Sequence, residues 1–308
     1  MPVPTSNRLG LSPSVQGNPP LVASPANTSH IKRKFVDVPY ADLSATQKLD
    51  IYLPDIGDNP FPVIAYIHGG AFRYGDKGDS NVMPILEGLK RNYAVVSINY
   101  RLSGEAKFPA LVYDVKAAVR WIRANAEQYH FNPDKIAAWG ASAGAYLSTM
   151  LGVSARVMEL NDLSLGNAHQ PSNVQAVVNW FGPMDFLKMD EQLAESGLTH
   201  PEIKHNAPNS PESLLMGQPI TEVPGLIYFA NPESYISSNA CPFLIQHGTK
   251  DMIVPVQQSI NLAAKLEKAI GKKNVILELL PDAEHADSQF ETTQNVNKVL
   301  DFLDRCLK

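Results

Sequence analysis

Cysteine is scarce, with only Cys241 and Cys306 in 308 residues. One bridge at most could form, which excludes a disulfide scaffold and a multi-cysteine metal site; two free thiols in a large core are expected. Charge is sparse and almost balanced, with 26 Lys and Arg against 31 Asp and Glu. No long basic block occurs, so nucleic acid is not the expected partner. Nor is there an apolar run of 18 residues, so no membrane span is expected. The first 30 residues carry Pro2, Pro4, Pro13, Pro19, Pro20 and Pro25 but neither a basic start nor a continuous apolar core, and so do not read as a secretory leader. As it stands the sequence reads as cytoplasmic; a secreted or periplasmic setting follows only if a signal has been removed. Motifs for bound groups are missing too. There is no His-Glu-x-x-His, no Gly-x-x-x-x-Gly-Lys and no Gly-x-Gly-x-x-Gly after the early strands, so neither metal nor nucleotide cofactor is expected.

What is present is a rhythm. Lys34, Val36, Val38 and Tyr40 alternate on one face, as do Leu49, Ile51 and Leu53, and Gly57–Pro60 marks a turn, an antiparallel opening. Then the runs become continuously apolar at Pro62–Ile67 and Ala94–Ile98, as in strands covered on both faces. Residues 81–91 predict one helix between them. Leu111, Val115, Ala118 and Ile122 share a helical face over residues 110–122. Strands follow at 136–139, 174–180, 243–246 and 275–280, and helices at 143–151, 256–270 and 293–307. This predicts an α/β fold: a mostly parallel sheet with helices on both faces. The expected organisation is an N-terminal Pro/Ser-rich extension over 1–30 and one domain over 31–308. Residues 182–238 break the rhythm with seven prolines, Pro183 to Pro232. A structureless loop of that length is unusual, so short helices are expected near 190–194 and 211–216, in a cap-like insertion.

The chemistry concentrates at strand ends. Gly140-Ala141-Ser142-Ala143-Gly144 follows a strand and opens a helix, the context in which a serine stands on a strained turn as a nucleophile. His68-Gly69-Gly70-Ala71-Phe72 follows another strand; the amides of Gly69 and Gly70, with that of Ala143, are candidates to hold an oxyanion. A serine nucleophile also needs a base and an orienting acid. His285 lies between the last strand and the last helix, and Asp251 follows the preceding strand, giving the order Ser142, Asp251, His285. Asp185 is the reserve acid. Glu284 and Asp287 are too close to His285 in sequence to face it, and His68 and His247 read as structural. Phe72, Tyr100 and Tyr146 are candidates to line the substrate pocket, or else core aromatics.

HGGAF at 68–72, INYRL at 98–102, GASAG at 140–144, HGTKD at 247–251 and His285 together resemble the α/β-hydrolase superfamily. Within it they are most similar to the esterase/lipase group with an HGG oxyanion loop, which includes hormone-sensitive-lipase-like enzymes. Residues 181–186, 205–213 and 231–236 resemble a narrower branch, labelled bifunctional feruloyl and acetyl-xylan esterase. The resemblance implies Ser142 as nucleophile, Asp251 as acid, His285 as base, and Gly69, Gly70 and Ala143 as oxyanion donors, with no cofactor. It departs in two places: Ala71 stands where many relatives have a third glycine, and Phe72 where tryptophan is common. The expected activity is a serine carboxylic-ester hydrolase acting on acetyl or other short acyl esters. Its expected partner is a small-molecule or oligosaccharide ester such as acetylated xylan or a feruloyl ester. An amide-cleaving hydrolase of the same fold and a catalytically silent binding module are the alternatives. Nothing in the sequence chooses between monomer and homodimer.

Overall fold

The computed structural model describes residues 23–57 and 60–308. Most of the 1–30 extension, and the middle of the turn at 57–60, lie outside the described residues. Eight strands form one sheet: β1 (Lys34–Pro39), β2 (Lys48–Tyr52), β3 (Phe61–Ile67), β4 (Ala94–Ile98), β5 (Phe131–Ala141), β6 (Ala176–Trp180), β7 (Phe243–Gly248) and β8 (Val275–Leu280). Their order is β1-β2-β4-β3-β5-β6-β7-β8. The β1–β2 and β2–β4 pairings are antiparallel and all the others parallel.

Side chains of the central strands alternate between two separate cores. Val63, Ala65 and Ile67 of β3, with Ile136 and Ala138 of β5, join the core under α1 (Ala110–Ala124), α3 (Ala143–Val153) and α7 (Gln257–Ile270). Ile64, Tyr66, Ala137 and Trp139 point the other way, to α8 (Thr293–Leu307) and the 3₁₀ segment Ile85–Arg91. Coverage on both faces is why these strands carry no polar alternation. The arrangement is that of the α/β-hydrolase fold. Among the described residues no helix is long and apolar enough to cross a membrane.

Two local expectations need correction. Residues 81–91 do not form one helix; 3₁₀ turns lie at Ser80–Val82 and Ile85–Arg91 instead, and Pro84 between them has no N–H to continue a helical ladder. In β1 the register shifts between Phe35 and Val38, Asp37 takes φ 56°, and its N–H is captured by Asp50 Oδ1 at 2.7 Å. The bulge breaks the alternation, leaving Val36 exposed while Tyr40 stays buried.

Residues 182–238 contain α4 (Met189–Ser196), α5 (Pro211–Met216) and α6 (Pro224–Ala230); a further short helix, α2 (Ala126–Tyr129), precedes β5. Helix α5 has its start and stop written locally: Ser210 Oγ accepts the Ser213 N–H, Pro211 opens the first turn, and Gly217 closes it with φ 77°. The insertion is tied down by Phe108 N–H on Leu215 O (3.0 Å) and by Tyr146 Oη–H on Ala230 O (2.6 Å). Both cysteines are free thiols, and burial pushes that of Cys241 up to about 12, so it stays protonated and unreactive at neutral pH.

Candidate active site

The parallel strands β3, β5, β6, β7 and β8 deliver their C-terminal loops to one edge of the sheet. Strand β5 ends at Ala141 and α3 begins at Ala143, so Ser142 alone makes the turn, with φ 54° and ψ −121°. Such a conformation is costly for a residue with a Cβ and is kept only where the surroundings over-determine it. Here the Ser142 N–H is held by Trp180 O at 2.9 Å, while its carbonyl accepts from Ala145 (2.9 Å) and Tyr146 (3.1 Å) to start the helix. Gly144 is required by close approach: a Cβ there would lie 2.0 Å from Ile67 O.

His285 sits on the loop after β8. Its Nε2 is 3.1 Å from Ser142 Oγ and its Nδ1 2.7 Å from Asp251 Oδ2. The Phe181 ring meets the imidazole edge-on, centroids 4.7 Å apart. Asp251 is fully buried on the loop after β7. Its Oδ1 accepts the Ile253 and Val254 N–H groups, both at 2.9 Å, and Oδ2 lies 3.2 Å from His247 Nε2. Burial opposes ionisation of this carboxyl. The charge of His285 and the hydrogen bonds from His247 and His285 outweigh it and hold the group well below the usual carboxylate range. Ser142, His285 and Asp251, separated by up to 143 residues in sequence, are thus one hydrogen-bonded line. A carboxylate on Nδ1 selects the tautomer that leaves Nε2 free to accept a proton from the serine.

The His68–Phe72 loop lies beside this line. A Cβ placed on Gly69 would come within 3.4 Å of Ser142 Cβ. Gly70 has φ 112°, and a Cβ there would meet Tyr74 O at 2.1 Å. Among the loop, turn and cap hydrogen bonds of the described residues, none engages the N–H of Gly69, Gly70 or Ala143. The N-terminal end of α3 adds its dipole. Together these can stabilise negative charge developing next to Ser142 Oγ.

The rival groups fall elsewhere. His68 is buried, its Nδ1 2.7 Å from Gly69 O, and its ring stacks on Tyr100 (4.5 Å, 16°); burial lowers its pKa. His247 spans Ser259 Oγ (2.6 Å) and Val254 O (2.9 Å). Asp287 caps the Gln289 N–H, and Asp185 engages Gln258 through its backbone. The three pocket candidates are buried. Phe72 is sealed at 1% exposure and Tyr100 and Tyr146 at 0%. Phe72 and Tyr146 pack against Phe186, while Tyr100 Oη–H donates to His68 O at 3.1 Å. All three are packed among other side chains, with almost no surface open to solvent. Sequence reasoning missed Phe181, the Asp251–His247 contact and the paired amides of Ile253 and Val254. The last had a signal, since an Asp two and three residues before free amides is an Asx turn.

Residues 49–266 match the family model described as BD-FAE. The chain is 32% identical to esterase LipQ of Mycobacterium tuberculosis over 274 residues, covering 87% of this chain but 61% of LipQ. It also superposes on two solved structures. One is a bifunctional GH43-CE protein of Bacteroides eggerthii (32% identity, TM-score 0.80, 89% of this chain and 38% of that one). The other is a truncated form of a carbohydrate esterase from gut microbiota (31% identity, TM-score 0.79, 92% of this chain and 99% of that one). The chain thus spans less than two thirds of the length of LipQ and well under half of the B. eggerthii protein.

Proposed function

The chain belongs to the BD-FAE family, and from that premise we propose that it is a serine carboxylic-ester hydrolase acting on acetyl or other short acyl esters, carbohydrate-linked ones included. Ser142 is the nucleophile, His285 the base and Asp251 the orienting acid. The amides of Gly69, Gly70 and Ala143 receive the oxyanion. The observation that carries this reading is the hydrogen-bonded line Asp251–His285–Ser142 ending at a serine with positive φ.

Ser142 Oγ attacks the ester carbonyl carbon while its proton passes to His285 Nε2. Asp251 keeps the Nδ1 proton in place and stabilises the imidazolium without taking that proton. The carbonyl oxygen becomes the oxyanion, and each preorganised donor aimed at it is worth about 3 kcal/mol of barrier. Collapse of the adduct breaks the C–O bond, and His285 protonates the departing alkoxide. Water then adds to the acyl carbon and gives its proton to His285. The second collapse frees the carboxylic acid and returns the proton to Ser142.

Carbohydrate-linked acetyl esters are favoured because the gut-microbiota relative, matched over nearly its whole length, is described as a carbohydrate esterase. The test is acetate release from acetylated xylan oligosaccharides, with p-nitrophenyl acetate as reference and Ser142→Ala as control. Release at a comparable rate, abolished in the variant, is the expected result. Cleavage of the activated ester alone would retain the nucleophile and remove the carbohydrate substrate. Faster turnover of a matched amide would move the enzyme to the amidases.

A further inference from the structure

The chain from α4 to α5 carries a buried histidine–carboxylate pair outside the site just described, His205 with Glu212. The first turn of α4 supplies Asp190, whose two oxygens accept the N–H groups of His205 (2.8 Å) and Asn206 (2.9 Å) and so fix the His205 backbone. The cap of α5 at Ser210 then sets Glu212 against the ring, Oε1 to Nδ1 3.1 Å, with each side chain only 6% exposed. Glu212 Oε2 is buried without a hydrogen-bond partner among the described residues, so His205 is the group that balances this carboxylate. Burial pulls the His205 pKa down, but the Glu212 charge and hydrogen bond, with the Ile253 carbonyl, raise it to about 9. At neutral pH the ring is a cation and both its nitrogens donate.

Nε2 donates to Ile253 O at 2.8 Å. Ile253 is also the residue whose N–H holds Asp251 Oδ1. From the other side, His247 Nε2 lies 2.9 Å from Val254 O, and Val254 N–H reaches the same Asp251 oxygen. The acid loop is therefore pinned between two imidazoles, one from the sheet and one from the insertion.

We propose that His205, paired with Glu212, is a positioning residue for the catalytic acid: it holds the Ile253 carbonyl and so fixes the Ile253–Val254 peptide, whose N–H, that of Val254, orients Asp251 together with the Ile253 N–H, and through Asp251 it orients His285. A cation on the Ile253 carbonyl also polarises the chain of hydrogen bonds running into the carboxylate. The insertion thereby contributes to the chemical step without touching substrate. This rests on the Ser142–His285–Asp251 reading.

The test compares His205→Phe, which keeps the ring and removes both hydrogen bonds, with His205→Gln, which keeps a donor toward Ile253. Turnover of p-nitrophenyl acetate is normalised to sites titrated with a fluorophosphonate, alongside KM and Tm. In His205→Phe, kcat per titrated site falls about tenfold, part of the roughly hundredfold that a misplacement of about 1 Å can cost. KM stays within about twofold, and His205→Gln recovers most of the loss. A lower Tm with unchanged kcat per titrated site, or no recovery in His205→Gln, would overturn the proposal. If His205→Phe does not fold, Glu212→Gln decides: kcat reduced about threefold, the scale of one weakened hydrogen bond, supports it, and unchanged kcat sinks it. Hydrolysis surviving in Ser142→Ala would instead overturn the site reading beneath it.

Discussion

Two buried histidine–carboxylate pairs, His285–Asp251 and His205–Glu212, differ chiefly in where the second ring nitrogen points. In His285–Asp251, Nδ1 meets the carboxylate at 2.7 Å and Nε2 faces a hydroxyl at 3.1 Å. In His205–Glu212, Nδ1 meets the carboxylate at 3.1 Å and Nε2 faces a backbone carbonyl at 2.8 Å. A hydroxyl can lose a proton to the ring; a carbonyl can only accept one hydrogen bond from it. The first pair is built to move a proton and the second to hold one. Burial and a carboxylate partner therefore do not identify a catalytic histidine, whereas the group at the far nitrogen does.

The largest expected effect removes the proton donor of the first pair. Ser142→Ala should lower kcat by at least about ten-thousandfold while leaving Tm close to that of the parent, as read by ester turnover and thermal unfolding. Next comes the matched exchange of carboxylates. Asp251→Asn should cost about ten-thousandfold in kcat by favouring the wrong tautomer, against only a few-fold for Glu212→Gln; equal losses would erase the distinction between the pairs.

Stability against pH separates them by sign. The folded pKa of Asp251 is depressed, so its contribution is present above about pH 4 and is lost as pH falls below that toward the depressed folded value. The folded pKa of His205 is raised to about 9. Its contribution is complete below about pH 6.5 and disappears as pH rises through about 9, a change on the order of 1–3 kcal/mol. Denaturant midpoints across pH should show this alkaline slope in the parent and lose it in His205→Gln. The smallest effect concerns the core behind the site: Tyr146→Phe, which removes the bond to Ala230 O, should cost about 1 kcal/mol of stability with kcat unchanged. A changed kcat would return Tyr146 to the substrate wall.

Much of this was legible in the sequence because it is local. The apolar runs of β3 to β5, the α5 boundaries at Ser210-Pro211 and Gly217, and the serine turn are each set by a few adjacent residues. Ser142, Asp251 and His285 could be grouped because parallel strands deliver their loops to one edge in a known order. What escaped depends on contacts between distant segments. The β1 bulge exists because Asp50, on the neighbouring strand, captures the Asp37 amide. Phe72, Tyr100 and Tyr146 are buried by the insertion and the loops packed on them, and no local pattern separates a wall aromatic from a core one. His205 carries no motif of its own; its role appears only when α4, α5 and the Asp251 loop come together.

The most direct measurement of the central claim is mass spectrometry of the enzyme quenched in acid during turnover of p-nitrophenyl acetate. An acetyl group on the peptide containing Ser142, absent in Ser142→Ala and slow to form in Asp251→Asn, is the predicted result. Turnover without an adduct on Ser142, or an acetyl group accumulating on another residue at the catalytic rate, would contradict it.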